Sequence, residues 1–305
     1  MHFFIQIEKG QKLLFHTSNN LTYSNVYALD TSVEMEDVFI DIDNILYGYS
    51  HGTLYKIVDT IIPLYHDIRL ISFGTTIFLI ANDHLVLMKN ETNFQIVKRV
   101  PDNIKGLSSC ADNYVFWEDS KIYLGERIIS VNFTVRELRL FNNAVFVLST
   151  ENKFYTLKDY VFDEIINLES IAVIDMSINK FIPVVAFLTD DTIYILDIGN
   201  RKIIKAIESY SGRNIIFKNK RELFIIGEKV IEYHLGKDTV RVILEGSSQS
   251  KFKYFELDNE IKFSEMDTFR EEVRTRLIEN KIESKRMVFE LMDQIEELKR
   301  KLAKN

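Results

Sequence analysis

Short apolar runs, rich in Ile, Val, Phe and Tyr, recur in groups of four along the chain to about residue 244, broken by Asn, Asp, Gly, Ser and Thr. One group reads Arg127–Val131, Val135–Phe141, Ala144–Ser149 and Lys153–Leu157, and the group before it Phe94–Val100, Ile104–Ser109, Asn113–Glu118 and Lys121–Leu124. The two align as RELRLFNNAVFVLSTENKFYTL over IKGLSSCADNYVFWEDSKIYLG, with polar turns in the same places. Further groups span 32–58, 60–88, 159–197 and 202–235. A period of about 30–39 residues with four strands in each unit predicts the blades of a β-propeller. An irregular β-sandwich or barrel is the competing architecture.

The two ends supply a separate test. Near residues 2–29 there is room for three strands only, Phe3–Ile7, Lys12–His16 and Val26–Leu29, while Thr239–Leu244 is left over after the last complete group. A ring closes without an exposed sheet edge when a last strand completes the first blade. Three and one make four, so residues 1–244 are expected to form a seven-bladed propeller, closed by strand 239–244 pairing with the first blade.

Within that repeat, Thr192-Ile193-Tyr194-Ile195-Leu196-Asp197-Ile198-Gly199-Asn200-Arg201-Lys202 resembles the third-strand ending of a WD40 repeat, with Leu196-Asp197 in the Trp-Asp position. The Gly-His dipeptide and most Trp-Asp pairs are missing. Leu148–Tyr155 also looks like a repeat of the chromosome-condensation-regulator propellers, whose longer period and glycine-rich loops this chain lacks. The WD40 resemblance implies an all-β fold and speaks to no activity.

Residues 245–263 are expected to be a linker, since Gly246-Ser247-Ser248-Gln249-Ser250 reads as a hinge. Residues 264–305 are expected to form a C-terminal α-helix ending in a short coiled coil. Ser264 suits an N-cap, Glu265 and Asp267 suit the positive end of the helix dipole, and no Gly or Pro follows to residue 304. Met266, Phe269, Val273 and Leu277 make one apolar stripe. Val288, Leu291, Ile295, Leu298 and Leu302 make a second, spaced 3, 4, 3, 4 as a coiled-coil seam requires. The segment carries ten basic and ten acidic residues, so the net charge of −7 belongs to the rest of the chain. Two heptads are short for self-association, so a partner's helix or groove is the expected destination of these nine residues, with packing back on the propeller as the alternative.

Signals for catalysis are missing. No phosphate-binding glycine loop, HExxH or Gly-x-Ser-x-Gly is present. The six histidines (His2, His16, His51, His66, His84 and His234) include no pair at helical spacing. Cys110 is the single cysteine, which excludes an intramolecular disulfide and fits a buried structural thiol in a reducing compartment. Neither a catalytic residue, a metal nor a cofactor is expected. One local charge feature stands out: Arg201, Lys202, Lys205, Arg213, Lys218, Lys220 and Arg221 fall within 21 positions, opposed only by Glu208. They are candidate contacts for RNA or an acidic partner, against a reading as a solvated edge; spacing alone does not decide whether their turns share a face.

The function expected is a non-catalytic scaffold or adaptor subunit of an intracellular multiprotein complex, nuclear or cytoplasmic. The N-terminus lacks the apolar run of a signal peptide, and no stretch approaches the roughly 20 apolar residues that span a bilayer. The layout, a degenerate propeller followed by the charged segment DTFREEVRTRLIENKIESKR, resembles the WD-repeat subunit of tRNA (guanine-N7) methyltransferase. That resemblance implies support of a separate catalytic chain in tRNA processing. The alternatives are a nucleoporin-like structural propeller with a coiled-coil tail, and a propeller enzyme or small-ligand binder.

Overall fold

In the computed structural model, residues 2–256 are described apart from 20–21, 42–44, 59, 74–75, 142–143 and 170. They form 28 strands in seven antiparallel sheets of four. Six sheets are built in chain order, at 37–65, 68–99, 106–130, 135–167, 175–208 and 214–245, and are termed blades 2 to 7. Blade 1 joins His2–Glu8, Lys12–Asn19 and Thr22–Asp30 to a strand from the far end of the described chain, Ser250–Glu256.

Each blade reads outward from its first strand. First strands touch between blades 3 and 4, 4 and 5, and 6 and 7, whereas last strands such as Asn93–Arg99 and Arg127–Ser130 are mostly exposed. The second strands are the most buried: Ile77–Ala81 and Val184–Leu188 are covered at every position. Alternation explains why these runs are continuously apolar. Val184, Ala186 and Leu188 face blade 7, while Val185 and Phe187 face blade 5, so both surfaces of the strand are core.

The described residues form seven apolar clusters, and each lies between two neighbouring blades. The cluster between blades 7 and 1 joins Phe224, Ile226 and Val230 to Phe4 and Phe252. Its presence closes the ring independently of strand pairing. At roughly 1.5–3 kcal/mol for each large side chain buried, every one of these interfaces contributes substantially to stability.

The seven-bladed ring agrees with the sequence expectation, but its closing strand differs. Thr239–Glu245 pairs with Lys229–His234 and is the outer strand of blade 7. The strand beside the N-terminus is Ser250–Glu256, in register from His2↔Glu256 to Glu8↔Ser250. It comes from the segment expected to be linker. The cause is a phase offset that enters at 32–58, which holds only three strands of blade 2; from residue 60 onward each group read from sequence begins with the outer strand of the preceding blade, as Arg127–Ser130 precedes 135–167. Giving Ile61–Tyr65 to blade 2 and moving each later group one strand along leaves the number of blades unchanged and passes the closure to the next strand, Ser250–Glu256.

Closure is reinforced by polar groups. Glu8 accepts hydrogen bonds from the hydroxyls of Ser247 (2.9 Å) and Ser250 and from the Gln6 amide (2.8 Å). Phe3 stacks on Phe255, with ring centroids 5.3 Å apart. Lys253 crosses to Asp37 of blade 2 at 2.8 Å. Cys110 ends the first strand of blade 4 and is half-buried rather than fully enclosed. The helix expected at 264–305, with Met266, Phe269, Val273, Leu277, Val288, Leu291, Ile295, Leu298 and Leu302, lies outside the described residues. Among the described residues no helix is long and apolar enough to cross a membrane.

Candidate binding groove

Antiparallel strands put the first and third turns of every blade on one face of the ring, and the second turn and the link to the next blade on the other. On the first face, turns 179–183 and 198–201 of blade 6 adjoin turns 218–221 and 235–238 of blade 7. Side chains from blades 6 and 7 line a groove of about 540 Å³ there. Ile182, Val184, Ile195, Ile204 and Leu235 form an aliphatic floor, and Lys205, Lys220, Arg221, His234 and Lys237 supply polar walls and rim. No carboxylate is among the lining residues.

The turns are set by short polar side chains that replace backbone partners. Asn179 is buried, accepts the Phe181 amide at 2.9 Å, and donates to the Asn219 carbonyl of blade 7 at 3.0 Å. Asn219 in turn accepts the amides of Arg221 (2.8 Å) and Glu222 (2.9 Å), which points the exposed Lys220–Arg221 pair outward. The His234 Nδ1 accepts the amides of Gly236 (3.2 Å) and Lys237 (3.1 Å), shaping the turn that carries Lys237. Lys205 donates to the Leu235 carbonyl at 2.6 Å and pairs with Asp238. That hydrogen bond, with a second from the Tyr233 hydroxyl (2.5 Å), holds the Asp238 carboxyl below its ordinary range.

The structure divides the seven basic residues singled out from sequence. Lys205, Lys220 and Arg221 line the groove. Arg201 turns the other way, to Asp163 of blade 5 and the Glu164 carbonyl at 3.2 Å. Lys218 is held by Glu232 (2.6 Å) and Glu222 (3.1 Å). Burial works to lower its pKa, and those two carboxylates outweigh it, so the ammonium sits above its ordinary value. Lys202 is exposed at the start of an outer strand, and Arg213 lies in the link between blades 6 and 7, on the opposite face. Lys237, His234 and the aliphatic floor went unread in the sequence. Lys237 stands just beyond the 202–235 group, and the floor side chains come from five separate strands and turns.

Elsewhere, Glu118 is buried, accepts from Asn103 at 3.0 Å and from the Tyr123 hydroxyl, and is a structural anchor. Asp191 accepts from Thr189 at 3.0 Å within a turn on the face away from the groove. Among the described residues no group of three or more His, Cys, Asp or Glu side chains could hold a metal ion.

No protein-family model matches the chain, and no curated protein matches it. Solved structures do. The apo form of AztD from Citrobacter koseri superposes with a TM-score of 0.62 at 8% identity, over 83% of this chain and 97% of that one. The WD40 domain of Pan2 from Neurospora crassa gives 0.55 at 8% identity, over 76% and 91%. Sqt1 from Saccharomyces cerevisiae gives 0.54 at 11% identity, over 78% and 81%. The chain shares its fold with WD40 propellers. At these identities the likeness is one of architecture, and propellers serve many functions on one scaffold.

Proposed function

We propose that the chain is a non-catalytic scaffold subunit of an intracellular protein complex, engaging a partner on the face that carries the groove between blades 6 and 7. The observation that carries this reading is the groove's make-up: an aliphatic floor beneath a cationic rim with no carboxylate in the lining. Apolar surface with a few convergent polar groups suits binding. A reacting centre calls for a nucleophile or acid–base pair in mutual reach, and no hydrogen bond joins His234 to a lysine or arginine side chain of this lining. The nine apolar residues between Met266 and Leu302 are proposed as a second contact, resting on their spacing alone.

The finer reading, support of a tRNA (guanine-N7) methyltransferase, rests on the layout of the chain and on no feature of the groove. It is therefore one outcome of the test. The tagged full chain, purified from its own cells and analysed by mass spectrometry, is expected to bring down a stoichiometric partner set. A methyltransferase with tRNA would support the finer reading, and coiled-coil assembly proteins the nucleoporin-like alternative. Recovery of the chain alone, with turnover of a small substrate, would contradict the scaffold assignment.

A further inference from the structure

Three rim cations of the groove, Lys220, Arg221 and Lys237, are exposed and have no ion-pair partner among the described residues. Lys205 differs, since Asp238 neutralises it and it donates a further hydrogen bond to the Leu235 carbonyl. Below the rim, Ile204 is 56% exposed on the outer strand of blade 6 and adjoins the half-buried Ile182 and Leu235, with the buried Val184 and Ile195 closing the floor beneath them. Uncompensated positive charge thus borders open aliphatic surface.

We propose that this groove takes an acidic peptide segment of a partner protein, one aliphatic side chain seated on the Ile182–Ile195–Ile204–Leu235 floor and flanking Asp or Glu carboxylates on Lys220, Arg221 and Lys237. The proposal rests on the scaffold reading and adds the chemistry of what that face recognises. A simple polyanion would satisfy the rim and leave the floor wet, whereas a purely aliphatic segment would leave three cations without partners. The planar Arg221 guanidinium suits a carboxylate, which it can take through two parallel hydrogen bonds. Single-stranded RNA is disfavoured for a specific reason. Such strands are gripped by stacking bases on aromatic rings, and no Phe, Tyr or Trp lines the groove. Rim charges exposed to solvent should speed encounter and make affinity fall with salt.

The test is fluorescence anisotropy on the full chain with a labelled peptide of about twelve residues, two leucines set among aspartates and glutamates. Saturable binding is expected, weakening as salt rises. Replacing Lys220→Ser, Arg221→Ser and Lys237→Ser together should cost about tenfold or more, and Ile204→Ser several-fold. Replacing both leucines of the peptide by serine should match or exceed the Ile204→Ser loss, and Arg213→Ser, on the opposite face, should change nothing. Thermal unfolding of each variant checks that these exposed substitutions leave the ring intact. Absence of binding, equal binding by the triple variant, equal binding of the leucine-free peptide, or tighter binding of an oligouridylate through the same residues would each overturn the proposal. If instead the triple variant assembles normally with the partner set found in cells, the groove assignment fails while the scaffold reading stands.

Discussion

Arg139 of blade 5 reaches Asp175 of blade 6 at 3.1 Å, and the other oxygen of that carboxylate accepts the Ile215 amide of blade 7 at 2.9 Å. One buried side chain therefore ties three consecutive blades at their innermost strands. Two residues further along the innermost strands, hydroxyls make lighter ties: Ser108 accepts the Leu140 amide at 3.0 Å, and Ser177 accepts the Phe217 amide at 3.2 Å. The ring beneath the groove is held by polar pins as well as by apolar clusters.

Asp175→Ala should therefore destabilise the protein by about 1–3 kcal/mol, because it takes the acceptor from the buried Ile215 amide and one of two carboxylates from Arg139, which keeps Glu137 at 2.6 Å. Asp175→Asn, which keeps an acceptor for one of them, should recover part of that loss. Chemical denaturation of both variants checks the order.

A steric prediction concerns blade 4. Gly106 sits under the Trp117 indole, and an added Cβ would overlap the ring. Both are in the core between blades, where Trp117 is 6% exposed, so the neighbour has little room to give. Gly106→Ala should cost about 1–3 kcal/mol, whereas the same change at Gly125, whose Cβ position is open but whose φ is +59°, tests backbone strain alone. Melting temperatures of the two variants separate the effects.

Acid should loosen the closure. His16 is buried in blade 1, and burial pushes its pKa down to about 4. The Gln6 amide nitrogen donates to Glu8, so its oxygen faces His16 at 2.9 Å and can only accept; the ring proton is on Nε2, and Nδ1 has no partner among the described residues. The unfolded chain binds a proton near pH 6.5 and the folded one near 4, so stability is full above 6.5 and falls across that window as pH drops. Glu8 adds to the loss at its lower end. The Ser250 hydroxyl, with Ser247 and Gln6, holds its carboxyl below the ordinary range, and protonation removes that contribution. Between pH 7 and 5 the His16 share is about 2 kcal/mol. Denaturation curves at the two pH values should show this drop in the native chain and a smaller one in His16→Gln.

Much of the ring was legible because a strand buried on both surfaces must be apolar along its whole length. AVFVLS and VVAFL, 144–149 and 184–188, announce themselves in any register. The phase of the blades was not legible. An outer strand such as Lys202–Glu208 faces solvent on alternate residues and pairs on one side only, so it looks as much like the start of one unit as the end of another. The closing strand was masked for a related reason. Ser250-Lys251-Phe252-Lys253-Tyr254-Phe255-Glu256 follows a Gly-Ser stretch and places lysines among its aromatics, where Lys253 finds Asp37 of the next blade only in three dimensions. The groove was half legible. A cluster of basic residues is visible in sequence, yet Lys218 and Arg201 are neutralised by Glu222, Glu232 and Asp163 from other strands, and Lys237 joins from a turn outside the cluster.

Ring closure by Ser250–Glu256 supports every statement about the two faces, and truncation tests it most directly. A chain ending at Glu256 should unfold in one cooperative transition at a temperature near that of the full protein. A chain ending at Gln249 lacks only the strand beside His2–Glu8, and should melt many degrees lower or aggregate through its open edge. Equal melting of the two truncated chains would contradict this closure and place the seam of the ring elsewhere.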